Sequence, residues 1–588
     1  MASAGRHASP VATRLGQSLL MLVGLAGAIA GQVMLSRHAE QGEGVVTAQL
    51  DPSAMTLSLV SALAVAAALS WPALHDLWPP HRLAGRPHLP GLGALLTGWL
   101  SHSGQGMLAL SRTRRGRGIL VGLTLALATS LVADLNATAP ATRPTAQWWW
   151  LASVLILVLT SSLVRVPAKP QQWGVHPVPR WSLRADGLAL AALTGLALLL
   201  RLPDLTGVPV AVQGDEAMCG LQALLWLHGQ VPSLLDTGWN VLPVGGYGLP
   251  ALVMSVAGAS LFGLRLSSVV IGTLSIFCVY ALTREFASRG AALLAAGLLT
   301  VAHLHVHFSR MGIHNIHAVF AVTLTLWLFT RALRTGDALV MVLAGVAMSL
   351  SAQVYWGARI VFIVIPLFLV ALLALSRQTV VKRVLVLAWL TLSGAVALGP
   401  LAVFLVRASD VASRTDEVFI FSSSPLVRDH LISIFGSAAP GPALLRGLVT
   451  LPMLLGGLSD QGFQYGAHSG MLDPVVAALA TIGIFFALFS LRRPPYLLLA
   501  LWVLVTIIFG SLLTIDQPWW PRLIVMLPAL CILAALVADD LARHFATDIA
   551  QLATSLHIPG HPLQVAALSS VLACAVVGVS TYATWQHY

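Results

Sequence analysis

Two carboxylates, Asp215 and Glu216, stand side by side between Gly214 and Ala217, shortly after an apolar run ends. A carboxylate held there can take the proton of a hydroxyl as its oxygen attacks a bond placed against it. Asp204 and Asp236 share the segment, and no Lys or Arg interrupts it from Leu202 to Leu264. Taken alone, the dipeptide is read more simply as part of a solvated acidic loop.

Arginines shift that balance. Arg265, Arg310, Arg359 and Arg522 each close or open an apolar run, in Leu-Phe-Gly-Leu-Arg265, His-Phe-Ser-Arg310, Tyr355-Trp356-Gly-Ala-Arg359 and Trp519-Trp520-Pro-Arg522. A guanidinium fork at a membrane surface suits a phosphate, although snorkelling or pairing with the loop acids would also place it there. Histidines cluster at His303, His305, His307, His314 and His317. The spacing of His303 and His307 could bind zinc, but no nearby cysteine or carboxylate completes a set, so local hydrogen bonding is the expected role. Gly245-Gly246-Tyr247-Gly248 has no following Lys-Ser/Thr and no strand before it, so it is not read as a nucleotide cradle.

The elements that must position these residues follow from composition. Hydrophobic residues make up 57% of the 588 and charged ones 9%, too few to clothe several soluble domains. Apolar runs long enough to cross a bilayer recur throughout. Fifteen are read: 15–35, 54–77, 118–134, 147–164, 185–201, 266–283, 290–307, 317–333, 338–355, 360–376, 384–406, 474–490, 496–514, 523–538 and 564–583. The expected fold is therefore an all-α polytopic membrane protein of about 15 transmembrane helices. A signal peptide at 15–35 is the lesser reading, because the run is long for one.

With the N-terminus in the cytoplasm, the cytoplasmic segments hold 22 Lys+Arg against 7 Asp+Glu, and the outside segments 11 against 15. That is the inside-positive bias, and the opposite orientation would invert it. The net charge of +11 therefore reflects topology and implies no nucleic-acid partner. The four cysteines imply no disulfide framework. Two lysines against 31 arginines, with abundant Ala and Gly, suggest GC-rich bacterial coding and hence a bacterial cytoplasmic membrane. Residues 1–183 read as an N-terminal four-helix extension with an Arg/Pro-rich cytoplasmic stretch. Residues 184–588 read as the main membrane domain, with long outside loops 202–265 and 407–473. Within the first loop, the Gly-broken apolar run 250–263 is expected to lie along the interface.

Residues 184–540 resemble the GT-C fold of lipid-carrier-dependent glycosyltransferases, near glycosyltransferase family 39, which includes protein O-mannosyltransferases and aminoarabinose transferases. The resemblance rests on Arg201-Leu-Pro before Gly-Asp215-Glu216-Ala, and on Leu-Phe-Gly-Leu-Arg265-Leu-Ser-Ser. It continues through His307-Phe-Ser-Arg310-Met-Gly-Ile-His314-Asn315, Gln353-Val-Tyr355-Trp-Gly-Ala-Arg359 and Pro521-Arg522-Leu. It implies a GT-C helical bundle whose outside loops carry interfacial helices and the active site.

By that resemblance the chain moves a sugar, hexosyl or pentosyl, from a polyprenyl-phosphate donor to an extracytoplasmic protein, lipid or polysaccharide, with inversion. Asp215 is then the catalytic acid/base position and Glu216 its catalytic neighbour. Arg359, Arg310, Arg265 and Arg522 are candidates for the donor phosphate, and Tyr247, His314, Asn315, Tyr355 and Trp356 for substrate contact. In loop 407–473, Arg414, Asp416, Glu417, Asp460, Gln461, Phe463, Gln464 and Tyr465 are expected to shape the acceptor side or form a lid. Several relatives carry an acidic residue where this chain has His314-Asn315, which puts a second carboxylate in doubt and leaves a divalent metal open. A transporter or lipid flippase is the competing reading, and a scaffold for envelope assembly a third. Transporters, however, place ionisable groups near the midplane and often show inverted repeats, whereas here the charges gather at one surface and no repeat is visible.

Overall fold

The computed structural model describes residues 10–40, 52–75, 113–138, 141–164, 182–231, 233–375, 384–407, 416–460, 470–555 and 574–583. In lipid a backbone has no water to bond to, so each apolar run must satisfy its own N–H and C=O groups by forming a helix. The described residues do so. In chain order the helices are α1 (Pro10–Glu40), α2 (Pro52–His75), α3 (Arg114–Ala137), α4 (Arg143–Ser162), α5 (Leu183–Arg201), α6 (Gly214–Leu227) and α7 (Gly248–Ala257). Next come α8 (Leu261–Arg284), α9 (Arg289–Val301), α10 (His303–Ser309), α11 (Asn315–Thr335), α12 (Ala338–Val354), α13 (Val361–Leu375) and α14 (Val384–Arg407). The chain continues with α15 (Pro425–Phe435), α16 (Gly441–Thr450), α17 (Pro474–Phe489), α18 (Pro494–Ile507), α19 (Leu527–Ser555) and α20 (Cys574–Ala583). Two isolated bridges, Thr237 with Pro243 and Phe419 with Thr514, are the only β pairing among the described residues.

Polar side chains mark where many helices start. Ser182, Ser260, Ser288, Asp337 and Asp473 each accept a hydrogen bond from a backbone N–H in the first turn that follows. Gly336 and Gly436 close α11 and α15 with φ of 77° and 66°, the left-handed conformation glycine adopts without strain.

Counting the helical turns continuous with α13 (Trp356–Leu375), α18 (Pro494–Leu512) and α19 (Trp520–Leu552), ten described helices are long and apolar enough to cross a membrane, or eleven if the bent pair α9–α10 is one span. The pair bends by 60° at Ala302, whose ψ of 119° is extended. The expected spans at 338–355 and 474–490 are the 17-residue α12 and the 16-residue α17. At about 1.5 Å per residue, such helices fall short of a full bilayer core. The span at 185–201 is α5, which carries Arg184, Asp186 and a buried Arg201.

Ion pairs form two layers, one at each end of the bundle. In one, Asp186 accepts from Arg289 (3.0 Å) and from the Tyr280 hydroxyl, while Glu285 holds Arg331 (3.1 Å) and Arg334 (2.6 Å). Asp539 in the same layer pairs with Arg543 (2.6 Å) and accepts from Ser288. These residues lie in, or at the span ends next to, the segments that the charge bias assigns to the cytoplasm. The other layer holds Glu216 with Arg265 (2.8 Å) and Asp516 with Arg522 (3.9 Å), in segments assigned to the outside.

The four leading helices form two hairpins seated against different parts of the bundle. Leu35, Ala62 and Val65 of α1–α2 join the main apolar core with Ala477 of α17 and Leu533 of α19. Ala133, Ala146 and Trp150 of α3–α4 pack with Ala352 of α12 and Leu401 of α14, and the Trp150 indole donates to the Ala397 carbonyl at 2.9 Å. Helix α7 buries Pro250, Ala251 and Met254 and leaves Leu252 and Val256 uncovered; the run expected as one helix over 250–263 is broken at Gly258 (φ 97°), and its last residues begin α8.

Candidate active site

Helix α6 opens with Asp215 and Glu216 in its first turn, where the positive end of the helix dipole accommodates negative charge. The two then diverge by one step of helical rotation. Glu216 is fully buried. Its Oε1 accepts from Arg265 Nε (2.8 Å) and from the Gly312 backbone N–H (2.7 Å), and its Oε2 accepts from Arg265 Nη2 (2.9 Å). Three elements are tied together at that carboxylate: the start of α6, the start of α8 and the turn between α10 and α11. Asp215 is half-buried, and its charge is felt by Cys219 and Tyr247.

Arg265 also donates through Nη1 to the carbonyls of Leu205 and Pro209, both at 2.9 Å. Arg310 donates to the carbonyls of Arg201 (2.9 Å), Pro203 (2.7 Å), Asp204 (3.0 Å) and Val208 (3.2 Å). Segment 201–209 has carbonyls that no regular element satisfies, and two arginine forks supply the donors. Arg265 and Arg310, two of the four arginines expected at a donor phosphate, thus have their guanidinium groups bonded to Glu216 and to the loop. Glu216, expected as the catalytic neighbour of Asp215, is buried and doubly bound to Arg265.

Arg359 and Arg522 are placed differently. The Arg359 guanidinium lies 3.8 Å above the Trp356 ring, Nη2 donates to the Ala352 carbonyl at 3.3 Å, and Nε is buried with no protein partner. Arg522 donates through Nη1 to the Ile515 carbonyl (2.8 Å), stands 5.5 Å over the Trp519 ring and lies 3.9 Å from Asp516. Beside Arg522 opens a cavity of about 250 Å³, lined among others by Asn240, Tyr355, Trp356, Phe419, Thr514 and Arg522 itself. A five-residue π turn, Ile508–Leu512, forms part of its wall, with Gly510 set against the Arg522 backbone.

An aromatic seam joins this cavity to α6. Cys219, Leu242 and Tyr247 are buried together beneath Trp226, Trp239 and Trp356. The Tyr247 hydroxyl donates to the Trp239 carbonyl (2.8 Å), and the Trp356 indole donates to the Asn240 carbonyl (3.1 Å). Burial, reinforced by the charge of Asp215, pushes the Cys219 thiol well above its usual range and so keeps it neutral. Burial does the same to the Tyr247 phenol, with Cys219 and Asp215 adding to it. The His314 ring sits 4.3 Å from Tyr247 and 5.4 Å from His317, its two nitrogens buried without a protein partner. Asn315 donates to the Pro521 carbonyl at 3.1 Å, beside Arg522.

All eleven expected site residues thus gather at one end of the bundle, although they span positions 215 to 522. His303 and His307 do not form a zinc set, since no cluster of three His, Cys, Asp or Glu suited to a metal occurs among the described residues. His305 between them accepts from Arg201 at Nδ1 and pairs with the Ser275 hydroxyl at Nε2, both at 2.8 Å. Asp460 accepts from the Trp520 N–H at 3.0 Å, and Asp416 and Glu417 open the described part of the second loop. Arg414, Gln461, Phe463, Gln464 and Tyr465 lie outside the described residues. Trp239 and Asn240 escape a sequence reading altogether, as neither stands in a recognisable spacing.

Residues 242–404 match the family model of dolichyl-phosphate-mannose-protein mannosyltransferases, which bears out the resemblance read from the motifs. Among solved structures the chain is similar to the oligosaccharyltransferase of Archaeoglobus fulgidus, at 16% identity over 68% of this chain and 54% of that one, with a TM-score of 0.43. It is similar also to ArnT of Cupriavidus metallidurans, solved with undecaprenyl phosphate (15%, 69% and 70%, TM-score 0.43). A third is the arabinosyltransferase EmbB of Mycobacterium smegmatis (15%, 76% and 41%, TM-score 0.39). The chain spans about half the length of the oligosaccharyltransferase. No curated protein sequence matches it.

Proposed function

We propose that this chain is an integral-membrane glycosyltransferase of the GT-C kind, working at the extracytoplasmic face of a bacterial cytoplasmic membrane. Its donor is a sugar carried on a polyprenyl phosphate and its acceptor a hydroxyl presented from outside. The observation that carries the reading is the division of labour at α6: Glu216 is locked to Arg265 and the Gly312 N–H, so Asp215 is held rigidly one residue away, next to a seam of aromatic rings that ends in an arginine-bearing cavity. The family match over 242–404 covers Leu242, Tyr247 and Trp356 of that seam, and Arg359.

In this reading the acceptor oxygen attacks the anomeric carbon from the face opposite the phosphate. The carbon–oxygen bond to the phosphate breaks, polyprenyl phosphate departs with the electron pair, and Asp215 receives the hydroxyl proton. One displacement inverts the anomeric centre. Phosphate leaves without protonation, so the site needs cations more than an acid. Arg522 in the cavity wall, and Arg359 with its unpartnered buried Nε and its guanidinium stacked on the cavity residue Trp356, supply that charge. Tyr355 and Trp356 offer flat faces to sugar or isoprenoid.

The test is incubation of the purified chain with a panel of hexosyl- and pentosyl-polyprenyl phosphates and candidate acceptors, following donor consumption. One donor should be consumed with inversion. Consumption of none, or retention of configuration, would overturn the proposal.

A further inference from the structure

The wall between α6 and the cavity is held in part by helices that lie outside the family match. The Arg143 guanidinium at the start of α4 pairs with Asp236 (2.6 Å), and Gln147 Oε1 one turn later accepts from the Leu234 N–H (2.9 Å). The Ser233 hydroxyl donates to the Arg143 carbonyl (3.2 Å), and Leu235 is buried among Ala137, Ala146 and Trp150. Segment 233–236 is therefore moulded to the top of α3–α4.

That segment is one arm of a tight loop. Val244 N–H donates to the Asp236 carbonyl (2.7 Å), Gly245 N–H to the Leu234 carbonyl (3.2 Å) and Gly238 N–H to the Leu242 carbonyl (2.7 Å). At the tip, Asn240 and Val241 have φ of 59° and 53°. A β-branched residue in that region is strained and stays there only where its surroundings over-determine it. The tip presents the Trp239 and Asn240 carbonyls to Tyr247 and Trp356. On the far side, Gly246 packs so closely that an added Cβ would lie 2.3 Å from the Gln353 carbonyl oxygen.

We propose that α3–α4 is a latch for this loop, and that Arg143 and Gln147 are positioning residues that set Trp239–Tyr247 against Trp356. They thereby shape the donor cavity from a part of the chain unrelated to the family match. The role in donor binding rests on the glycosyltransferase reading; the latch itself does not. An ion pair backed by a side-chain-to-backbone bond fixes the register of the arm, and register decides which carbonyls meet Trp356 and Tyr247.

The experiment uses the full chain in detergent and four variants: Arg143→Asp, Asp236→Arg, the two combined as a charge swap, and the milder Gln147→Ala. Hydrogen–deuterium exchange over 233–247 and binding of undecaprenyl phosphate are read in parallel. Each single charge reversal should speed exchange at 237–247 and weaken binding by about three- to tenfold, Gln147→Ala less so, and the swap should restore both. Wild-type exchange in the single variants and Gln147→Ala, or a swap that restores nothing, would overturn the latch. If exchange responds as expected but the wild-type chain binds no undecaprenyl phosphate, the donor role fails while the latch stands.

Discussion

Asp215→Asn keeps the shape of the side chain and its capacity to hydrogen-bond but removes the ability to take a proton. Sugar transfer should fall on the order of 10²–10⁴-fold, with donor affinity and melting temperature retained. Transfer at the wild-type rate would remove Asp215 from the mechanism. Glu216→Gln acts on stability instead. Glu216 is the counter-ion of a fully buried Arg265, and breaking such a pair costs about 3–5 kcal/mol. Glu216→Gln should therefore lower the melting temperature in detergent, an effect absent in Asp215→Asn; equal melting of the two would contradict the anchor role. Arg359→Lys keeps a charge but loses the planar fork and its stacking on Trp356. Its donor affinity should drop, and a Lys variant that binds and turns over like wild type would exclude Arg359 from the phosphate site.

Among elements, glycines separate sites that need close approach from those that do not. Gly214 begins α6 with open space where a Cβ would stand, so Gly214→Ala should leave stability within about 0.5 kcal/mol of wild type. Gly246 has the backbone of Gln353 in that direction, and backbone does not yield as a flexible side chain would. Gly246→Ala should cost about 1–3 kcal/mol and displace the loop that carries Trp239 and Asn240. Thermal melting of both variants checks the contrast, and a Gly246→Ala chain as stable as the Gly214→Ala chain would refute the packing described. The bend at Ala302 matters at the same scale. It turns α10 out of line with α9, and Arg310, directly after α10, reaches the carbonyls of segment 201–209.

For the whole molecule, the two layers of ion pairs fall at the ends that the inside-positive bias assigns to opposite sides of the membrane. Cysteines introduced at residue 440, just before α16, and at residue 100, outside the described residues, should react with impermeant reagents from opposite sides of the membrane, with 440 outside. Labelling of both from one side would mean an odd number of misassigned spans between them. The two leading hairpins, seated on different helices, also make deletion of residues 1–183 more than a trimming operation. It would remove apolar partners of α12, α14, α17 and α19 and the support of segment 233–236.

Composition and recurrent apolar runs were enough to determine an all-α polytopic membrane protein, because lipid leaves helices as the way to satisfy each buried backbone. The acidic dipeptide and the four outward arginines were equally legible, since they break a hydrophobic background. Their division of roles was not. Whether Asp215 or Glu216 meets Arg265 depends on a turn of helix and on where α8 begins, and whether an arginine faces a cavity or a loop's carbonyls depends on contacts between residues about 60 to 110 apart in sequence. The loop tip at Trp239–Asn240 and its support by Arg143 and Gln147 had no local signature at all. Such contacts form between polar groups of ordinary type at unremarkable spacing, and only the packing of helices against one another brings them within hydrogen-bond reach.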